Sequence, residues 1–153
     1  MQNNTCCFFG HRTIDETEAL TTRLYETIER LITDEEIDTF LFCSKSRFND
    51  LCLEIVTKMK EKYPHIKRIY VRAEYPYIDE RYKRYLLQDY EDTYYPEKIL
   101  HAGKARYIER NYEMMDQSTV CVFFYDEKAA TPKSGTKIAL DYASKHQKQI
   151  IVL

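Results

Sequence analysis

The chain has 153 residues, 44% hydrophobic and 31% charged, which suits one globular domain, 1–153, with a core of its own. A formal charge of −2 gives no support for a protein held on nucleic acid by phosphate neutralisation, and argues against nucleic acid as a partner. No apolar run approaches the roughly 20 residues of a membrane span, so no membrane partner is expected. The N-terminus lacks a charged-then-apolar signal pattern, and a cytoplasmic protein is the expectation.

The first predicted strand is the apolar run after Thr5, Cys6-Cys7-Phe8-Phe9, which ends at Gly10, one of three glycines. His11 and Arg12 follow at once. Thr13 and Glu16 match a capping box. Leu20, Leu24, Ile28, Leu31 and Ile32 then recur at helical spacing over 15–33. Residues 39–43 read as a second buried strand. The loop Ser44-Lys45-Ser46 leads into a helix striped by Leu51, Cys52, Ile55, Val56 and Met59, which Pro64 closes. Residues 66–73 form a third strand, and 79–90 a helix with Tyr82, Tyr85, Leu86 and Tyr90 on one side. The stretch to Gly103 holds a short edge strand or only a loop. Residues 104–116 return to a helix, 119–125 to a strong strand, 134–146 to a helix and 149–153 to a last strand.

Strands alternating with helices predict a three-layer α/β sandwich, its mostly parallel sheet of about five to six strands joined by right-handed crossovers. Ligands of such folds sit beyond the carboxyl ends of the strands. That end gathers Gly10-His11-Arg12, the loop with Ser44, the run from Glu74 to Tyr77, and the turn at Ser134-Gly135-Thr136.

Each of these groups has two readings. Gly10 either lets a ligand approach the backbone or is an ordinary turn glycine. His11 and Arg12 either recognise phosphate or cap their loop. Ser134, Gly135 and Thr136 open a helix, so their N–H groups and hydroxyls either hold an anion or simply cap it. Arg110 and Met114, four apart, share a helix face, either a cation beside an apolar surface or a paired arginine beside a core methionine.

The five cysteines fall mostly in apolar runs, as reduced, buried thiols do, and none has zinc spacing with a histidine. Adjacent Cys6 and Cys7 are expected to point to opposite faces of a strand, which argues against a disulfide between them. There is no Gly-x-Gly-x-x-Gly, Walker A pattern or nucleophile elbow, and no metal or flavin signature, so the cofactor is left unknown. The tyrosine-rich belt from Tyr75 to Tyr95 offers a stacking surface for bases. Its acidic neighbours Asp89, Glu91 and Asp92 favour packing or a protein contact instead.

Taken as a set, Cys-Cys-Phe-Phe-Gly-His-Arg, Arg110-Asn111-x-x-Met114-x-Asp116, and Ser134-Gly135-Thr136 before a helix with Tyr142-Ala143 resemble the YpsA-like branch of the SLOG superfamily. That superfamily includes the Lonely-guy phosphoribohydrolases and the Rossmann-like domain of DNA-processing protein A. The resemblance runs over essentially the whole chain. It implies a Rossmann-like domain binding a small nucleotide or nucleotide-derived ligand through Gly10, Arg12, Arg110, Asn111, Gly135 and Thr136, with pairing into a homodimer through helices.

Two departures bear on activity. The loop entering the second helix, 43–49, has no glycine. The glutamate of the Lonely-guy signature falls on Ala139, which offers neither acid nor base. The expectation is therefore a non-catalytic or sensor domain with no catalytic residues. The alternatives are an N-glycosidic hydrolase that has recruited Glu74 or Asp141, and a protein-interaction module with a vestigial pocket.

Overall fold

The computed structural model describes residues 4–43, 46–126 and 135–153. Six strands form one sheet: β1 (Thr5–Gly10), β2 (Thr39–Phe42), β3 (Lys67–Val71), β4 (Asp92–Tyr94), β5 (Val120–Phe124) and β6 (Gln149–Val152). Their order is β4-β3-β2-β1-β5-β6, and every pairing is parallel. The α/β, Rossmann-like architecture is thus established, with the undecided stretch before Gly103 supplying β4 as an edge strand. The connections are α1 (Glu18–Asp34), α2 (Arg47–Lys62), α3 (Glu80–Leu86), α4 (Arg106–Asp116) and α5 (Gly135–Lys145).

Strand periodicity builds two cores from adjacent residues of β1. Cys6 and Phe8 point into the core shared with α1 and α2, whereas Cys7 and Phe9 point into the core shared with α4 and α5. Strands buried on both faces need near-continuous apolar sequence, which β1 and β5 have. The cysteines are all free thiols, with the Cys7 and Cys121 sulfurs 3.6 Å apart across β1 and β5.

The first helix departs from its sequence pattern. It is capped by Thr17, whose hydroxyl accepts from the Leu20 N–H at 3.1 Å, and not by a Thr13–Glu16 box. Glu16 is drawn away by Arg47, whose Nε and Nη2 each donate to its carboxylate at 2.6 Å. The predicted helix over 79–90 is shorter at its end: α3 stops at Leu86, and Tyr90 turns inward to pack 6.1 Å from Phe42. Among the described residues no helix is long and apolar enough to cross a membrane.

Candidate functional site

β1 has neighbours on both sides whose crossovers lie on opposite faces, so the chain parts at the carboxyl ends of β1 and β5. A sheet of this kind opens its crevice at that point. A cavity of about 550 Å³ lies there, lined by Phe8, Gly10, His11, Arg12, Cys43, Ser46, Asn49, Glu74, Tyr107, Arg110, Asn111, Gly135 and Thr136 among others.

Four local devices shape the wall formed by β1 and α2. A Cβ on Gly10 would overlap the Phe48 ring, so the glycine admits the first turn of α2 against the strand. Arg47 N–H donates to the Arg12 carbonyl at 2.9 Å, tying the turn after β1 to the start of α2. Asn49, 3% exposed, joins the ends of β1 and β2: its Nδ2 donates to the Phe8 carbonyl at 3.0 Å and its Oδ1 accepts from the Cys43 N–H at 3.1 Å. The Ser46 hydroxyl caps α2 by accepting from the Asn49 N–H at 3.0 Å. Polar side chains thus complete this corner without glycine in the described part of the loop.

His11 spans the parting of the chain. Its Nε2 accepts from the Asp126 N–H at 2.9 Å, which requires that nitrogen to be unprotonated, and its ring lies edge-on to Phe124. The turn after β1 and the exit of β5 are therefore held together by one side chain.

The opposite wall comes from α4 and α5. Arg110 is 6% exposed. Its Nε donates to the Asn111 side-chain oxygen at 3.0 Å, its Nη1 makes a long 3.5 Å contact with the Val71 carbonyl, and its guanidinium lies over the Tyr107 ring at 5.7 Å. No carboxylate pairs with it among the described residues. Gly135 and buried Thr136 begin α5 at the cavity edge, with nothing within 4 Å of where a Gly135 Cβ would stand. N–H groups of a helix's first turn face outward unbonded, and they favour an anion.

Gly10, His11, Arg12, Glu74, Arg110, Asn111, Gly135 and Thr136 therefore share one cavity. Ser44 and Ser134 lie outside the described residues. Met114 does not reach the cavity: it is fully buried in the second core with Met115 and Ala143. One helical turn beyond Arg110 carries it down the face of the sheet, so sharing a helix face did not mean sharing the site. Cys43 and Ser46, in the stretch that sequence reasoning placed at this end of the sheet, line the cavity too, whereas Tyr107 and Asn49 are lining residues that it did not single out. For Ser46 and Asn49 the serine three residues before an asparagine at a helix start was a usable signal.

The residues weighed as replacement acids also separate. Ala139 is buried in the second core, and Asp141 is exposed on α5, 3.7 Å from Lys137 and away from the lining. Glu74 is the one carboxylate among the described lining residues. No group of three or more metal-ligating side chains occurs among the described residues.

No curated protein matches the chain. A family model described as the YspA SLOG family (YpsA) matches residues 4–153, and with a match over nearly its whole length the chain belongs to that family.

Proposed function

We propose that the cavity binds a nucleotide or nucleotide-derived ligand through its anionic group and does not cleave it. The observation that carries this reading is Arg110. A guanidinium withdrawn from water costs free energy unless negative charge meets it, and no carboxylate among the described residues pairs with this one. A phosphate would meet the guanidinium as a two-pronged acceptor, with the first turn of α5 and the Thr136 hydroxyl beside it. Tyr107 adds a flat ring at the same wall. Family membership supports a nucleotide-related ligand, and Ala139 at the signature glutamate supports binding without hydrolysis.

A thermal-shift panel of AMP, ATP, NAD, ADP-ribose, GTP and a cyclic dinucleotide, run on wild type and Arg110→Met, tests this. Ligand at a hundred times its Kd adds about 2.7 kcal/mol, a shift of several degrees for a chain of this size. The expected result is a shift with at least one ligand that disappears in Arg110→Met. A flat panel in wild type ends the reading. One observation favours a second reading, N-glycosidic hydrolysis: Glu74 faces the same space as Arg110. Release of free base from a nucleoside monophosphate, lost in Glu74→Gln, would replace binding with hydrolysis.

A further inference from the structure

The cavity holds unused hydrogen-bond donors in two places. The first is the wall formed by α4 and α5. Arg110 gives its Nε to Asn111 and reaches the Val71 carbonyl only at 3.5 Å. Asn111 accepts that bond through its side-chain oxygen, which leaves its Nδ2 amide, a double donor, without a partner among the described residues. Thr136 is 6% exposed, and its hydroxyl makes no hydrogen bond among the described residues. A guanidinium, an amide and a hydroxyl thus line the cavity beside the first turn of α5, whose N–H groups have no helical acceptor.

The second place is the turn after β1, on the opposite wall. His11 accepts from the Asp126 N–H through Nε2, so the neutral ring carries its proton on Nδ1. That N–H meets no acceptor among the described residues. Arg12 is exposed and lines the cavity, and its guanidinium makes no ion pair or hydrogen bond among the described residues. The acids that follow it do not neutralise it. Glu16 is held by Arg47 at 2.6 Å, and Asp15 makes no ion pair and is not part of the lining. Glu74 is the one carboxylate against two arginines in the described lining.

A single phosphate on Arg110 and Thr136 leaves the donors of His11 and Arg12 to water. Two donor clusters on opposite walls match two linked anionic groups. We infer, resting on the nucleotide reading above, that the cavity takes a nucleotide with two phosphoryl groups in one chain, a nucleoside diphosphate or its ester. One phosphoryl group sits on Arg110, Asn111 and Thr136, and the other on His11 and Arg12. Exposed Arg12 is hydrated when the second group is missing, so a monophosphate still binds, but more weakly.

The test is isothermal titration calorimetry on the full chain, comparing AMP with ADP and GMP with GDP. Divalent cations are left out so that the phosphates keep their charge. The diphosphate of at least one pair is expected to bind about tenfold or more tightly than its monophosphate, the scale of an added hydrogen bond to a charged group. Arg12→Met is expected to bring that ratio close to one, whereas Arg110→Met removes measurable binding of both. Arg30→Met, at an exposed position of α1 outside the lining, controls for the loss of one positive charge and keeps the ratio. Thermal melts check that Arg12→Met, also at an exposed position, remains folded. Equal affinity for monophosphate and diphosphate in wild type overturns the two-phosphoryl ligand and leaves the nucleotide reading standing. A ratio that survives Arg12→Met overturns it too, because the second group then sits elsewhere. Failure of all four nucleotides to bind also overturns it, and a flat thermal-shift panel beside that failure ends the nucleotide reading as well.

Discussion

Phe48 occupies the space that a side chain on Gly10 would need. The glycine that ends β1 is thus explained by the seating of α2 on the strand, before any ligand is considered. Gly10→Ala forces the ring or the helix to move, and overpacking of this kind costs about 1–3 kcal/mol. The substitution should lower the melting temperature by several degrees. Pairing it with Phe48→Leu should recover part of the loss relative to the sum of the two single changes, as residues in direct contact do. Additive losses would mean that the two positions do not compete for space.

Asn49 fixes the other side of the same corner. It gives the Phe8 carbonyl and the Cys43 N–H their side-chain partner, where β1 and β2 end. Asn49→Leu fills the volume but leaves both backbone groups without it, at about 1–3 kcal/mol for each one left buried and unpaired. Chemical denaturation should show a lower midpoint with an unchanged slope. Because Cys43 and Asn49 both line the cavity, ligand affinity should fall as well, in contrast to Gln117→Ala on the far end of α4.

These two residues mark where sequence stops being informative. Leu24, Ile28 and Leu31 revealed α1 because helical period is a local property, and all three are fully buried. The strand ends follow from the same local patterns, which is why Gly10, Glu74 and Gly135 could be assigned to one end of the sheet, whereas Arg110 came to it only through the family resemblance. What escaped depends on partners far along the chain. Thr13 and Glu16 satisfy a capping pattern, but Arg47, 31 residues away, takes the glutamate and leaves the cap to Thr17. Tyr107 carries no motif, and only its ring beside Arg110 reveals it.

Arg110 should show opposite effects on binding and stability. In the unliganded protein it is a buried cation whose partners are uncharged. Arg110→Met keeps the length and apolar stem of the side chain and removes the charge. It is expected to hold or raise the melting temperature, by up to about 2 kcal/mol of stability, while abolishing the nucleotide-dependent shift. A strongly destabilised Arg110→Met would mean that the arginine is structural, with a partner inside the protein.

The thiols divide by accessibility. Burial pushes the thiols of Cys6, Cys7 and Cys52 well above their ordinary range, so little thiolate forms and little is reached by reagent. Cys43 is half-buried and faces the cavity. Iodoacetamide on the native protein at pH 8 should label Cys43 first, and the peptide can be identified by mass spectrometry. A ligand that gives a thermal shift should slow this labelling. Equal labelling of Cys52 would show that α2 opens on the time scale of the reaction.

Glu91 sets the acid side of the stability profile near the sheet edge. Burial pulls its carboxyl up, but two bonds from the Arg68 side chain and one from its N–H outweigh that and hold it below 4.5. The folded state therefore has the lower value, so the carboxylate contributes fully above 4.5 and the contribution is lost as pH falls through the folded value. The same residue returns the chain to β3, its N–H donating to the Arg68 carbonyl at 2.8 Å just before β4. Glu91→Gln keeps the shape and removes the titration. It should reduce stability at neutral pH and flatten the fall in melting temperature below pH 4.5, so that wild type and variant converge in acid. Curves that stay parallel down to pH 3 would show that the Arg68–Glu91 pair carries no proton linkage.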